Sequence, residues 1–348
     1  MAARSVALSS IMSAISGVSR RITCGDTSGN LPITLDCAGK NPRVEGRRLN
    51  RTILLTGSLG LIGTSLAARL HRLGATLIPV DIRAPEAPLD ICDHARMTEL
   101  AAQADGIVHL AAVSRVVDGQ LDPARCTAVN VTATHNLLAA AAASPRRPWF
   151  IYASSREVYG QQDDFPVHED VPQRPMNVYA RSKVEAERLT NAARASGLAT
   201  SIVRFSSVYG SPDDHRTRVT PAFLRAALAG ATLRVEGDAH TFDLTHVEDV
   251  TAGLVTLIGM LDAGERNLPP LHFASGTGTT LLDLAQRAIR LGSPKARIEL
   301  APPRSYDIHH FVGDPARTAE LLGWRATTPL DSGLARLAAD FTSAAIEA

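Results

Sequence analysis

Residues 51–74 constrain the fold more than any other part of the chain. The run RTILLT at their start predicts a short buried strand, and three glycines follow it between positions 57 and 63. Apolar residues then recur at helical spacing from Leu61 to Leu73, and Gly74 stands where a helix is commonly capped. A strand, a glycine-rich turn and a helix in this order predict the first half of a βαβ unit.

The same alternation of strands and helices continues downstream. Apolar runs of strand length lie at 75–80, 106–110, 149–153 and 199–204, and helical patterns lie at 97–103, 129–143 and 178–194. Such alternation predicts an α/β fold with a doubly wound parallel sheet, the Rossmann arrangement, because crossovers between parallel strands are right-handed.

The pattern loosens after residue 210, which predicts a second, smaller unit. Helical pieces lie at 221–229, 247–261 and 281–291, and short strands lie at 233–235, 271–274 and 297–300. We therefore expect a dinucleotide-binding Rossmann domain over 50–210. A smaller α/β C-terminal substrate domain is expected mainly over 211–348, with some of its elements returning to the first domain.

Residues 1–49 differ from the rest, and we expect them to form a disordered extension. Three arginines, many serines and no acidic residue before Asp26 are also typical of an organelle transit peptide. The scattered glycine, proline and asparagine residues after Cys24 give no periodic pattern and favour the extension. The cytoplasm is therefore the expected location.

Charge and cysteine usage exclude several classes of function. The net charge is +1, so we expect no broad attraction to nucleic acid or to a membrane surface. No apolar run has the length of about 18 residues that a membrane span needs. The four cysteines (Cys24, Cys37, Cys92 and Cys126) form no CxxC pair, so we expect no metal site and thiols in a reducing compartment.

The glycine-rich turn predicts a dinucleotide site. Gly57 permits the tight turn, Gly60 lets the backbone approach a pyrophosphate, and Gly63 lets the helix pack close to the strand. Asp81 follows about 20 residues later at the end of the second strand, where a carboxylate accepts from ribose hydroxyls. That carboxylate favours NAD over NADP, although Arg83 is of the type that serves a 2′-phosphate.

The expected cofactor site gathers residues from several strand ends. Asp90 and Ile91 are expected where the third strand ends, near the adenine, and a solvated turn is the alternative. The full expected set is Gly57, Leu59, Gly60, Leu61, Ile62, Gly63, Asp81, Ile82, Arg83, Asp90, Ile91, Leu110, Ala111, Ala112, Asn130, Tyr179 and Lys183.

Tyr179 and Lys183 form a YxxxK motif on a predicted helix. A spacing of four places both side chains on one face. A phenol has a pKa near 10, too high for a base at neutral pH, and a nearby ammonium favours the phenolate. Ser155 follows the apolar strand that ends at Ala153, so its hydroxyl is expected beside the same reacting group.

These motifs together resemble the extended short-chain dehydrogenase/reductases, in particular the NAD-dependent epimerase/dehydratase family, from about Arg51 to Leu334. The motifs that carry the resemblance are GSLGLIG at 57–63, HLAA at 109–112, VNVTATHNLL at 129–138, SSREVYG at 154–160, YARSK at 179–183, RFSSVYG at 204–210, FDLTHVEDV at 242–250 and LGW at 322–324. The resemblance implies catalytic roles for Ser155, Tyr179 and Lys183 and a homodimer joined through a helical bundle. It also implies oxidation of a nucleotide-sugar at C4, with hydride transfer to and from bound NAD.

Glu157 bears on what happens to the 4-keto sugar. Dehydratases and UDP-glucuronate decarboxylases of the family have Glu at this place, whereas simple C4 epimerases commonly have a small residue. The dTDP-glucose type of dehydratase pairs that Glu with an Asp, and this chain has Arg156, which cannot be a general acid at neutral pH. Glu157 is therefore either a catalytic base or the partner of a nearby cation such as Arg156 or Lys183.

Binding of a nucleotide-diphosphate sugar needs cations and polar groups of the protein in addition to those of the cofactor site. Arg304 opens a segment that resembles the family's Arg-x-Gly-Asp, with Tyr306 in place of Gly. Ser207 replaces a common Asn, and Phe242 replaces a common Arg. The expected substrate-binding residues are Ser114, Ser155, Ser207, Arg216, Arg218 and Arg304.

The expected function is an epimerase acting through a 4-keto intermediate. The alternatives are a decarboxylase or dehydratase that uses Glu157, and an NAD(P)-dependent keto-sugar reductase or dehydrogenase. A protein that only senses dinucleotides is disfavoured, because the motif residues Ser155, Tyr179 and Lys183 are all present.

Overall fold

The computed structural model describes residues 48–304 and 308–346. The expected N-terminal extension, up to residue 47, lies outside the described residues. The strands are β1 (Thr52–Thr56), β2 (Thr76–Val80), β3 (Gly106–His109), β4 (Trp149–Ser155), β5 (Thr200–Phe205), β6 (Ser207–Tyr209), β7 (Thr232–Glu236), β8 (Thr241–His246), β9 (Leu271–Phe273), β10 (Gly278–Thr280) and β11 (Arg297–Ala301).

The helices connect these strands. They are α1 (Leu61–Arg72), α2 (His94–Ala101), α3 (Val116–Leu121), α4 (Pro123–Thr127), α5 (Ala133–Ala143), α6 (Val178–Ala195), α7 (Val219–Leu228), α8 (Val247–Asp262), α9 (Leu281–Leu291), α10 (Ala316–Leu322) and α11 (Leu330–Ile346). A π turn over Ala128–Thr132 joins α4 to α5, and a single 3₁₀ turn over Arg156–Tyr159 follows β4.

The main sheet has six parallel strands in the order β2-β1-β3-β4-β5-β9. The chain passes from β1 to β2 on one side and returns to β3 on the other. The connections at the carboxyl end of β1 therefore diverge, and a crevice opens between them. The prediction of a doubly wound parallel sheet is confirmed.

Both faces of the main sheet are covered, which explains why its strands are apolar on both sides. Ile53 and Leu55 of β1 pack on the face covered by α1 and α8, whereas Leu54 packs on the face of α2 and α5. All three side chains are fully buried. Successive residues of a strand point to opposite faces, so the run RTILLT supplies both cores.

The remaining strands form two smaller sheets. β8 lies between β10 and β6, and β7 pairs with β11 in parallel. Their apolar core includes Phe223, Leu224 and Leu337 from α7 and α11. In contrast, α8 packs on α1 and β9 extends the main sheet, so these later elements return to the first part of the fold.

The structure corrects the expected position of the third strand. Asp90 and Ile91 lie in a turn before α2, and the third strand is β3, which ends at His109. Pro85 and Pro88 lie in the segment before the turn and remove two backbone donors that a strand would need. The Asp90 carboxylate accepts from the backbone N–H of Cys92 at 2.9 Å, which closes the turn.

Two further elements begin earlier or end later than the apolar pattern indicates. The helix expected from residue 129 starts at Pro123, where the Asp122 carboxylate caps the N-terminus by accepting from the backbone of Arg125. The strand expected to end at Ala153 continues to Ser155. A pattern of apolar residues does not reveal polar helix caps or the polar ends of strands.

A buried ion pair ties the main sheet to α6. Arg204 of β5 donates to both carboxylate oxygens of Glu187, at 2.9 and 2.6 Å. Glu187 also accepts from Ser154 of β4 at 2.5 Å, and Arg204 donates to the phenol oxygen of Tyr159 at 2.7 Å. The side chains of the pair are only 6% and 3% exposed, so protein groups rather than water compensate their charges.

We expect Glu187→Ala to lower the free energy of unfolding by about 3–5 kcal/mol, because Arg204 would be left buried without its partner. Urea unfolding measures the change. Glu185→Ala on the same helix is the matched control, since Glu185 pairs with Arg188 at the surface. The control should cost less than about 1 kcal/mol. Equal losses in the two variants would contradict a structural role for the buried pair.

Candidate active site

A cleft of about 380 Å³ lies at the carboxyl edge of the main sheet. The loops after β1 and β3 and the end of β4 line one side, and residues of β8 and α7 line the other. Fifteen of the residues expected from the sequence line this cleft: Gly57, Gly60, Leu61, Ile62, Gly63, Leu110, Ala112, Ser114, Ser155, Glu157, Tyr179, Lys183, Ser207, Arg218 and Arg304.

The glycine-rich turn forms a cradle that stays open because its glycines have no side chains. A Cβ on Gly63 would lie 2.1 Å from the carbonyl oxygen of Gly57, and a Cβ on Gly57 would lie 2.7 Å from the backbone nitrogen of Ala111. Gly57 also has a φ of +70°, which favours glycine. At Gly60 a Cβ would lie 3.2 Å from the same carbonyl, so this glycine keeps the cleft side of the turn open.

The N-terminus of α1 supplies the donors of this cradle. Within the described residues no side chain caps it, and its first turn holds no acidic residue. The first N–H groups of a helix lack intrahelical partners and carry partial positive charge, which suits a pyrophosphate. The residues present therefore fit a bound dinucleotide.

Asp81 lies beside the cradle at the end of β2. Its carboxylate accepts from the backbone of Leu59 and of Arg83, each at 2.9 Å, and from Nε of Arg83 at 3.2 Å. Burial raises the pKa of Asp81, but these hydrogen bonds outweigh it and the pKa is lowered overall. Asp81 therefore holds the glycine turn and stays charged at neutral pH.

The other expected cofactor residues lie outside the lining of the cleft. Ile82 is exposed beside Asp81, Ile91 is buried in the core with α2, and the backbone of Ala111 donates to the Thr56 hydroxyl. The Asn130 amide, in the π turn, bonds to both the N–H and the carbonyl of Val113. Asn130 thus fixes the backbone of the loop that follows β3.

Ser155 and Tyr179 meet in the cleft. Ser155 is the last residue of β4, and Tyr179 lies in the first turn of α6, which begins after the capping residue Asn177. Both side chains line the cleft, and the Ser155 hydroxyl accepts from the backbone N–H of Glu157 at 3.2 Å. Two hydroxyl groups are thereby arranged to contact one hydroxyl of a ligand.

Burial decides the protonation of the YxxxK pair. It raises the pKa of Tyr179 to about 12, opposed in part by the Ser155 hydrogen bond and the charge of Arg218. Burial also lowers the pKa of Lys183 to about 8, and Nζ of Lys183 donates to the carbonyl of Ala153 at 2.8 Å. At Tyr179 burial therefore outweighs the nearby groups that favour the phenolate.

Glu157 lies on the cleft wall next to Ser155. Its carboxylate pairs with Nη2 of Arg156 at 3.2 Å and accepts from the Asn177 amide at 3.2 Å. The expected alternative of an ion pair with Arg156 is therefore confirmed. Lys183, the other cation considered, instead donates to a backbone carbonyl.

The expected substrate-binding residues divide into two groups. Ser114 and Arg218 face each other across the cleft, and Nη2 of Arg218 donates to the Ser114 hydroxyl at 3.1 Å. Ser207 and Arg304 also line the cleft, and Arg304 pairs with Glu236 at 3.5 Å. Arg216 is exposed and does not line it. Residues 305–307, which continue the Arg304 segment, lie outside the described residues.

The sequence missed two polar residues of the site. Asp214 is a buried carboxylate of the cleft that lies 3.5 Å from Arg218, and Asn177 is a buried amide that binds Glu157. A cap signal existed for Asn177, because Asn commonly precedes a helix start. For Asp214 no sequence signal existed, because it lies in a polar loop between β6 and α7.

Comparison with known proteins agrees with this geometry. The model of the NAD-dependent epimerase/dehydratase family matches residues 53–268. A UDP-glucose 4-epimerase from Mycolicibacterium smegmatis is 32% identical over 309 residues, which cover 81% of this chain and 96% of that protein. UDP-glucuronic acid decarboxylase 2 from Arabidopsis thaliana is 28% identical over 338 residues, covering 91% and 72%.

A solved structure is similar over most of its length. The structure of MoeE5 in complex with UDP-glucuronic acid and NAD has a TM-score of 0.75 and 27% identity, and the match covers 84% of this chain and 99% of that one. The family match covers more than half of the sequence, and the resemblance inferred from the motifs is confirmed. The chain belongs to the NAD-dependent epimerase/dehydratase family and is an NAD-dependent enzyme of that family.

Proposed function

We propose that the protein is a nucleotide-sugar epimerase that acts through a 4-keto intermediate. The observation that carries the proposal is that Ser155, Tyr179 and Lys183 line the same cleft as the glycine cradle. A UDP-glucose 4-epimerase among the relatives and the UDP-sugar and NAD bound by MoeE5 support the substrate class.

Tyr179 and Ser155 act on the proton of the sugar hydroxyl. Ser155 orients that hydroxyl, and Tyr179 takes its proton during oxidation and returns it during reduction. A bound NAD would supply the acceptor for hydride from C4 and, as NADH, the donor for its return, and its positive ring would favour the phenolate of Tyr179. Lys183, fixed by the Ala153 carbonyl, binds the dinucleotide and adds positive charge beside the phenol.

Cations near the cleft mouth bind the diphosphate. Arg218 and Arg304 line the cleft, and Ser114 and Ser207 add hydroxyl groups for the sugar and the phosphates. Arg216 is exposed outside the lining, so any contact with the substrate needs a movement of its loop. Among the described residues, no group of His, Cys, Asp or Glu is arranged to hold a metal ion.

Glu157 supports a second candidate function. Its carboxylate lies on the cleft wall beside Ser155 and is oriented by Asn177. A base at this place can take the C5 proton beside the ketone, as dehydratase chemistry needs, and its acid form can protonate C5 after CO2 has left, as decarboxylase chemistry needs. UDP-glucuronic acid decarboxylases and a dTDP-glucose 4,6-dehydratase are among the relatives.

A homodimer, a cytoplasmic location and the domain boundaries at 50–210 and 211–348 stay predictions. None of the helices in the described part of the chain is long and apolar enough to cross a bilayer. A keto-sugar reductase that exchanges its cofactor is the remaining alternative, and net turnover of added NADH would support it.

Incubation with UDP-, dTDP-, GDP- and CDP-sugars tests the proposed function. We expect one sugar to give its C4 epimer by NMR, without accumulation of NADH, because the electrons taken from the sugar return to it. Stoichiometric release of NADH would contradict the epimerase. A pentose or a deoxy-keto product would favour the second candidate.

Tyr179→Phe should lower turnover by about 100-fold or more while NAD stays bound, because proton transfer loses its acid and base. Tyr152→Phe is the matched control. The buried Tyr152 hydroxyl has no hydrogen-bond partner among the described residues, so its removal should change turnover by less than about twofold. Initial rates with the substrate found above measure both. Full activity of Tyr179→Phe would refute its assigned role.

Glu157→Gln separates the two candidate functions. A C4 epimerase needs no base beside the ketone, so the variant should lose less than about tenfold in turnover. An enzyme that uses Glu157 as base should lose about 100-fold or more. The amide keeps the size of the side chain and one acceptor for Asn177. Product analysis by NMR, run beside Tyr179→Phe, shows which loss occurs.

A further inference from the structure

Arg156 is a buried cation on the wall of the cleft that the proposed mechanism does not use. Its side chain is 10% exposed, and it lines the cleft between Ser155 and Glu157. Its Nη1 is buried and has no hydrogen-bond partner among the described residues. A buried guanidinium donor without an acceptor is costly, which indicates that a ligand supplies the acceptor.

The guanidinium is held in place before any ligand arrives. Its Nη2 pairs with Glu157 at 3.2 Å, and its Cζ lies 4.9 Å from the ring centroid of Phe242 and 5.7 Å from that of Phe311. Cation–π contacts with two rings fix the plane of the group. Glu157 and the rings therefore hold the guanidinium as a rigid, planar fork on the wall of the cleft.

The position of Arg156 indicates which substituent of the sugar its guanidinium can contact. It is the next residue after Ser155, which the proposed function places at the C4 hydroxyl. In a hexopyranose the ring neighbours of C4 are C3, which bears a neutral hydroxyl, and C5, which bears the exocyclic C6. Of these two positions, only C6 presents an anion, when it is oxidised to a carboxylate, and a planar carboxylate matches the guanidinium fork.

We propose that Arg156 is a specificity-determining residue that selects nucleotide-sugars with a carboxylate on the sugar ring. The proposal rests on the proposed function, because it uses the position of Ser155 at the reacting hydroxyl. The diphosphate is the other anion of such a substrate. The sugar carboxylate is favoured, because Arg156 lies beside Ser155 and Glu157, whereas the proposed function assigns Arg218 and Arg304 to the diphosphate.

Binding of UDP-glucuronic acid and UDP-glucose tests the inference in NAD-loaded protein that carries Tyr179→Phe to suppress turnover, and wild type below refers to position 156. These probes differ only in the carboxylate. By titration calorimetry, the wild-type protein should bind UDP-glucuronic acid about tenfold or more tightly than UDP-glucose. Arg156→Gln should weaken the acid by about 10- to 100-fold and UDP-glucose by less than about threefold.

Two further variants keep the test decisive. Arg156→Lys keeps the charge without the fork and should retain an intermediate preference, which covers the case that the glutamine variant does not fold. Arg218→Gln is the matched control, since Arg218 lines the same cleft but donates to Ser114. It should weaken both probes to a similar degree and leave their ratio unchanged.

Three results would overturn the inference. In the first, the wild-type protein shows no preference for UDP-glucuronic acid. In the second, Arg156→Gln weakens the binding of both probes equally. In the third, the preference is lost in Arg218→Gln alone. Equal weakening would assign Arg156 to the diphosphate. The proposed function is tested separately by the incubation with nucleotide-sugars, because the binding assay does not depend on conversion.

Discussion

The bidentate pair between Arg204 and Glu187 joins the strand β5 to the helix α6, and the active site depends on that junction. Tyr179 and Lys183 lie on α6, and Ser154, which donates to Glu187, precedes Ser155 in β4. Arg204 also binds the Tyr159 phenol at the end of the turn that carries Glu157. One buried pair therefore positions three elements that line the cleft. Its cost of desolvation is offset only because all its partners are present.

Burial has an opposite effect at the catalytic pair. The low-dielectric surroundings that strengthen the Arg204 pair raise the pKa of Tyr179 to about 12 and lower that of Lys183 to about 8. Both groups are thus shifted toward their neutral forms. The ammonium of Lys183 beside the phenol and the positive ring of a bound NAD would both favour the phenolate against this effect of burial.

Local patterns predicted the central part of the fold and of the site. The strand, glycine turn and helix from residue 51 onward are visible because each element has its own short-range signal. Tyr179 and Lys183 could be identified as a pair because residues four apart lie on the same face of a helix. In contrast, β8 was missed, because several of its buried residues are polar. Asp243 in β8 is fully buried and accepts from backbone groups of Ser275, Gly276 and Gly313, far away in sequence.

The sequence by itself determined the doubly wound sheet, the glycine-rich cradle and the candidate catalytic side chains. Periodicity and glycine placement follow from sterics and from apolar burial, which act between near neighbours. Only the tertiary structure decided the protonation of Tyr179 and Lys183 and the partner of Glu157, because both depend on what is buried around each group. It also decided that Arg156 is enclosed by Phe242 and Phe311 with one donor left over. Those rings lie about 90 and 150 residues away in sequence, so folding alone brings them to the guanidinium.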